Sequence, residues 1–395
     1  MNLSVERLGR MRGALARHVD GGDVPGLVAM VARRGQVHAE VLGAAEAGGP
    51  PMRRDSIFRI ASVTKQITAA AAMTLVEECR LRLDDPVDGL LPELAGRRVL
   101  RRPDAPLDDT VPAHRPITVR DLLTFRLGIG AVMAPPGATP IQRAMDEAGV
   151  SPGPGGHAIE PDAWMKRLGG LPLVHQPGDR WMYDTGSDVL GVLMARAAGK
   201  PLEDLLRERL FEPLGMTDTG FHVPAGKLDR LAGAYRPDPA TGDLVLADDR
   251  GRWGRPPAFP SGAGGPGLLS TADDLLAFCT MMLNKGRHPG GRVLSRPSVE
   301  LMTTDQLTEQ QKRDNAVFFD GNSGWGLGVG VITRRDDLPA VPGRFGWAGG
   351  TGTSVHTDPS EDLIGILLTQ RELTSPAAPP WFRDFWTGAY QAIDD

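Results

Sequence analysis

Ser62-Val63-Thr64-Lys65 lies between Ile57-Phe58-Arg59-Ile60-Ala61 and Ile67-Thr68-Ala69-Ala70-Ala71-Ala72. Residues three apart on a helix share nearly one face, so the Lys65 amine reaches the Ser62 hydroxyl. A serine hydroxyl is a weak nucleophile until a neighbouring base activates it. A lysine serves as that base once a low-dielectric surrounding lowers its pKa towards neutrality. The flanks are apolar on most helix faces, which predicts a buried helix. Its N-terminus would aim backbone N–H groups and the positive dipole end at Ser62, where an oxyanion forms. The alternative is a solvated lysine on an amphipathic helix. The chain's lysines are Lys65, Lys166, Lys200, Lys227, Lys285 and Lys312. Among them Lys65 stands in an alanine-rich run, where its burial needs a reason.

The chain of 395 residues has room for one large core or two modest ones. Its hydrophobic share of 41% and charged share of 24% are those of a soluble globular protein. A net charge of −5 argues against broad electrostatic binding to nucleic acid or to an anionic membrane surface. The arginine pairs Arg97-Arg98 and Arg101-Arg102 sit among acids and read as solvated loops. With 50 glycines and 34 prolines, many turns and long ordered loops are expected. Cys79 and Cys279 give neither a disulfide framework nor a metal spacing, and both read as packed thiols in helices. Met1-Asn2-Leu3-Ser4-Val5-Glu6-Arg7 lacks the apolar core of a signal peptide, and no run is long enough to span a bilayer. A cytoplasmic location is the expectation.

Upstream of the serine, Val5, Leu8, Met11, Leu15 and Val19 repeat at helical spacing, closed by Gly21-Gly22. Leu27-Val28-Ala29-Met30-Val31 reads as a buried strand. Arg33-Arg34-Gly35 turns it and Val37 to Leu42 returns. Downstream, Ile117-Thr118-Val119-Arg120-Asp121-Leu122-Leu123 opens a helix capped by Thr118. Residues 128–156 are rich in Pro and Gly, with one helical piece from Ile141 to Ala148; a loop of this length roofs a pocket or is disordered. Asp188 to Ala198 and Leu202 to Leu210 read as helices. Strand character returns at Trp325 to Ile332, Gly346 to Thr357 and Leu363 to Leu368, an antiparallel meander. Trp381, Phe382, Phe385, Trp386 and Tyr390 form a last helix, expected on the same sheet as the first.

Two further stretches carry candidate chemistry. Tyr183-Asp184-Thr185 follows Gln176-Pro177-Gly178. A phenol near a lysine ammonium becomes a usable base, whereas a core tyrosine with a satisfied hydroxyl is the plainer reading. Trp347-Ala348-Gly349-Gly350-Thr351-Gly352 is the other. Its glycines mark either close approach of a ligand, with a bare N–H as oxyanion donor, or a bulge. Gly262 to Gly267 matches G-x-G-x-x-G, but its proline and the lack of a preceding buried strand make it a loop into a helix capped by Ser270 or Thr271. His175 and His356 lie near these stretches and read as structural.

Taken in order, these stretches resemble the serine β-lactamase-like superfamily, most of all its class C-related branch with the family VIII carboxylesterases, D-aminopeptidases and penicillin-recognising relatives. The resemblance runs from Pro25-Gly26-Leu27 through Phe58 to Lys65 and Ile117 to Leu123. It continues through Gln176-Pro177-Gly178, Pro213-Leu214-Gly215-Met216 and Leu268 to Leu275. It implies an α/β (α+β) fold of the β-lactamase/penicillin-binding-protein type, with an antiparallel sheet flanked by helices. Residues 1–75 and 265–395 would form that unit, and 76–264 a mostly helical domain whose long loops roof the site. By the same resemblance Ser62 is the nucleophile, Lys65 its base or proton relay and Tyr183 the second acid/base. The N–H groups of Ser62 and Gly350 form the oxyanion hole. Trp347, Gly349, Thr185 and Phe125 are expected against the substrate.

The departures from the family pattern are informative. Thr185 stands where Tyr-x-Asn places Asn. Trp347-Ala348-Gly349 replaces Lys-Thr-Gly, so the cation that meets a β-lactam carboxylate is missing, with Arg126 and Arg344 as its nearest possible replacements. Thr124-Phe125-Arg126-Leu127-Gly128 replaces Thr-His-Thr-Ser-Gly. The expectation is a serine hydrolase of small-molecule carboxylic esters working through an acyl-enzyme, with no metal, cofactor, nucleic acid or membrane partner. An amidase, D-aminopeptidase, weak β-lactamase or acyltransferase using the same acyl-enzyme remain open, as does a catalytically silent binding module.

Overall fold

Leu27-Val28-Ala29-Met30-Val31 is apolar at every position, and such a strand needs cover on both faces. It is the middle of β1 (Gly26–Arg33), buried throughout. The remaining strands of its sheet are β2 (Gln36–Gly43), β3 (Ser323–Trp325), β4 (Gly330–Ile332), β5 (Phe345–Gly349), β6 (Thr353–Asp358) and β7 (Leu363–Thr369). The order across the sheet is β3-β4-β5-β6-β7-β1-β2, antiparallel at every pairing. Met30 faces Ile366, and Trp347 faces Val355. The computed structural model describes residues 3–153, 155–248, 250–262, 265 and 267–395. The Met1-Asn2 end, Pro154 of the Pro/Gly-rich loop, and Ala263, Gly264 and Pro266 of the G-x-G-x-x-G stretch lie outside them.

Side-chain alternation divides the two faces of the sheet. Leu27, Ala29, Val31, Leu363 and Leu367 pack with Leu8, Met11 and Leu15 of the Val5–Asp20 helix, and with Trp381, Phe385 and Trp386 of the Pro380–Gln391 helix. The first and last helices therefore share one face, as their spacing predicts. Val28, Met30, Val355, Ile366 and Leu368 point the other way, into the core that holds Ile67 and Ala69 to Ala72 of the Thr64–Glu77 helix. Every residue of that helix from Thr64 to Leu75 is buried. Its alanines let neighbours come close: a side chain at Gly328 would strike the Ala69 Cβ.

That contact explains a difference from the sequence expectation. Trp325 to Ile332 is not one strand but a tight β3–β4 hairpin. Gly328, at φ 74°, turns the chain against the serine helix and donates to the Leu123 carbonyl. Likewise Gly346 to Thr357 is two strands, β5 and β6, joined through Gly350–Gly352. Thr118 closes a capping box with Asp121, and Thr271, not Ser270, caps the Ala272–Leu283 helix. Cys279 is packed as expected, and burial pushes its thiol up to about 12. Cys79 is exposed: the helix ends at Glu77 and Cys79 turns away at φ 56°. Among the described residues no helix is long and apolar enough to cross a membrane.

Candidate active site

Ser62 occupies a short 3₁₀ turn, Ala61–Val63, that leads into the helix starting at Thr64. Ala61 takes φ 43°, an unfavourable conformation for a residue with a Cβ. It is held by what surrounds it. Thr353 Oγ1 donates to the Ile60 carbonyl at 3.2 Å, and Thr351 Oγ1 to the Arg59 carbonyl at 2.5 Å. Gly349 lies so close to the Ile60 carbonyl that a Cβ would collide with it. The glycine of Trp347-Ala348-Gly349 therefore serves the approach of β5 to the serine turn, and Gly349 itself is buried. The next residue, Gly350, is exposed and has open space around its Cα.

Lys65 is the charged centre of the site. Its ammonium donates to Ser62 Oγ at 2.9 Å and to Asp184 Oδ2 at 3.0 Å. It also lies 4.5 Å from the centre of the Tyr183 ring. Its side chain is 0% exposed. Burial alone would push such a lysine down, as the sequence reading expects. The Asp184 carboxylate and the Tyr183 oxygen act against burial and prevail, so the pKa stands above the ordinary lysine value. Lys65 is therefore an ammonium near neutral pH, which corrects the expectation of a lysine tuned to neutrality. On Asp184, burial raises the pKa and Lys65 opposes it.

Asp184 carries a contact that the sequence reading assigned to no residue. It precedes Thr185, which begins the Thr185–Ala198 helix and is itself buried. The residue that meets Lys65 from the Tyr183-Asp184-Thr185 motif is thus Asp184 and not Thr185. One turn further along this helix, Asp188 accepts from Ser261 Oγ at 2.7 Å and pairs with His157 at 3.1 Å. Neither interaction had a signal in the sequence.

Tyr183 is fixed from several sides. Trp347 Nε1 donates to its hydroxyl at 2.8 Å. The N–H of Ala131 donates to its carbonyl, which brings the near end of the Pro/Gly-rich loop alongside it. Trp181, Phe125, Trp325 and Phe319 form a buried aromatic block behind its ring. Phe125 is fully buried in that block, 5.8 Å from Tyr183 and 4.7 Å from Trp325. It backs the site and offers no surface to a substrate. Trp347 stays partly exposed, with its N–H already directed at Tyr183.

Of the two possible replacement cations, Arg344 lies elsewhere. Arg344 stacks 3.9 Å over Trp386 on the terminal-helix face of the sheet, where burial lowers it to about 10. Arg126 donates to Thr124 Oγ1 at 2.9 Å. His356 meets Trp386 edge-on at 5.2 Å on the terminal-helix side. Burial holds that imidazole well below its usual range. Among the described residues no group of three or more His, Cys, Asp or Glu side chains is placed to hold a metal ion.

Residues 11–384 match the family model described as Beta-lactamase. Protein Rv1367c of Mycobacterium tuberculosis is 43% identical over 366 residues, covering 89% of this chain and 87% of that protein. Esterase EstB of Burkholderia gladioli is 32% identical over 379 residues, covering 90% of this chain and 88% of EstB. Among solved structures, EstCE1, "a hydrolase with promiscuous acyltransferase activity", superposes with a TM-score of 0.81 at 25% identity, over 98% of this chain and 99% of that one. The chain belongs to the Beta-lactamase family, and it shares the β-lactamase and penicillin-binding-protein fold with hydrolases and acyltransferases.

Proposed function

We propose that the protein is a serine hydrolase of neutral carboxylic esters, acting through an acyl-enzyme on Ser62. The observation that carries this reading is the fully buried Lys65 ammonium, held at 2.9 Å from Ser62 Oγ and 3.0 Å from Asp184. Burying a charged pair is costly, and structural stability alone gives little reason to keep one beneath a serine. Because Asp184 keeps Lys65 protonated, the group left to take the serine proton is Tyr183. Its oxygen accepts the Trp347 N–H, and its ring lies 4.5 Å from the Lys65 ammonium.

The steps follow from that assignment. Ser62 Oγ attacks the ester carbonyl as its proton passes to the Tyr183 oxygen. The N–H groups of Ser62 and Gly350 receive the oxyanion. Tyr183 returns the proton to the departing alkoxide, leaving the acyl-enzyme. Water then repeats the sequence and frees the acid. Tyr183→Phe keeps the ring packing and removes the proton carrier. It is expected to lower kcat by about two orders of magnitude or more, on the scale of general acid–base catalysis. Steady-state kinetics on p-nitrophenyl butyrate measure this, and near-normal turnover would remove Tyr183 from the mechanism.

The preference for a neutral ester rests on β5. A β-lactam brings a carboxylate beside its amide, and a tight site answers it with a cation. Here the position holds Trp347, whose N–H is engaged by Tyr183, while Arg344 lies on the terminal-helix side. A missing charge-assisted hydrogen bond costs about 1.5–3 kcal/mol, roughly one to two decades in affinity. Catalytic efficiency on p-nitrophenyl butyrate should therefore exceed that on nitrocefin by at least that factor. A wild-type preference for nitrocefin would end the esterase reading.

A further inference from the structure

The aromatic cluster around Tyr183 has an inside and an outside. Phe125, Trp181, Phe319 and Trp325 are buried, while Tyr183, Trp347 and Phe318 are only partly so. Trp347 presents its N–H to Tyr183. Phe318 has no polar atom to offer. Its ring lies 5.1 Å from the Tyr183 ring at an interplanar angle of 30°, and 5.0 Å from Trp181. It stands on a short helix, Ala316–Phe319, in a segment that gave no functional signal in the sequence.

This segment is fastened to the chain that carries Tyr183. Gln311 Nε2 donates to the carbonyls of Gly178 at 2.9 Å and Asp179 at 3.1 Å. Asn315 Nδ2 donates to the Trp181 carbonyl at 3.3 Å, and Arg180 pairs with Asp314. Side chains from two successive helical turns thus hold Phe318 in register with the tyrosine. Four buried aromatic rings already pack Tyr183 from behind. Phe318, half-exposed and held by this set of bonds, adds a fixed apolar surface against the Tyr183 ring.

We infer that Phe318 is a specificity-determining residue that receives the alcohol part of the ester, and that this part is a bulky apolar or aryl group. The inference rests on the ester-hydrolase reading. There, Tyr183 returns its proton to the leaving oxygen, so the alcohol must lie beside the Tyr183 hydroxyl. The partly exposed, purely apolar ring stacked on Tyr183 is Phe318. An aryl or branched alkyl group buries against it, whereas a small alcohol gains almost nothing. The same surface would seat an apolar alcohol that intercepts the acyl-enzyme in place of water.

The test holds the acyl group constant and varies the alcohol. The ratio of kcat/KM for 1-naphthyl butyrate to that for ethyl butyrate reports acylation with each leaving group, and intrinsic leaving ability cancels between variant and wild type. In Phe318→Ala the ratio should fall about tenfold, the scale of losing one ring contact and its buried area. In Phe318→Leu, which keeps apolar bulk and covers the case where the alanine variant does not fold, it should fall by about threefold. A ratio within a factor of 1.5 of wild type in Phe318→Leu overturns the inference, as does an unchanged ratio in a folded Phe318→Ala. Fluorophosphonate labelling of the wild type separates the two levels. Labelling at Ser62 with an unchanged ratio overturns the role of Phe318 alone, whereas no labelling and no ester turnover removes the hydrolase reading and this inference with it.

Discussion

Ser62→Ala is expected to lower ester turnover by about four to six orders of magnitude, the range seen when a nucleophile whose partners act as one unit is removed. The reason is structural as well as chemical. Lys65, Asp184, Tyr183 and Trp347 form one connected set whose Oγ end is Ser62. With the oxygen gone, neither the ammonium nor the phenol has an atom to activate. The fold should tolerate the change. Ser62 is small, and the substitution removes one hydrogen bond while Lys65 keeps Asp184, so the cost in stability is about 1 kcal/mol. Steady-state kinetics and a thermal melt of the variant measure the two quantities. Retained turnover would mean that another residue attacks the substrate carbonyl.

Asp184→Asn has the next largest expected effect, and it falls on stability and activity together. Lys65 is then a buried ammonium without its counter-charge, a situation that costs about 3–5 kcal/mol. The pH dependence distinguishes this cause from simple mispacking. In the wild type the folded-state pKa of Lys65 is raised, so its contribution is fully present below about 10.4, the unfolded value, and is lost only above it. In the variant burial dominates and the folded pKa falls below the unfolded one. The sign reverses: stability now rises with pH between the lowered value and about 10.4. The difference in melting temperature between wild type and Asp184→Asn should therefore narrow as pH rises from 7 to 10. A constant difference would show that Lys65 is not the group responsible. Turnover should fall as well, because an uncharged Lys65 no longer faces the Tyr183 oxygen as a cation.

What could be read in the sequence is what local geometry dictates. Ser62 and Lys65 are one turn apart, so their contact follows from helical spacing. The apolar β1 run demands two covered faces and receives them from the serine helix and the terminal helices. The capping box at Thr118 lies within four residues. The unreadable part depends on distant partners. Asp184 meets Lys65 across 119 positions, and Trp347 meets Tyr183 across 164. A tryptophan N–H directed at a phenol looks, in sequence, like an apolar wall. Phe318 was hidden because Gln311 and Asn315 anchor its segment through backbone carbonyls, which leave no mark on the sequence they bind. Arg344 is close to Trp347 in sequence, yet it precedes β5 and stacks on Trp386 at the terminal-helix side of the sheet.

On the proposed reading, Ser62 Oγ is the atom that becomes acylated. The direct measurement is mass spectrometry of the protein after incubation with a fluorophosphonate, followed by mapping of the modified peptide. The account predicts one adduct per chain, located on Ser62, and none in Ser62→Ala under the same conditions. An adduct mapped to any other residue, or equal labelling of wild type and Ser62→Ala, would contradict it.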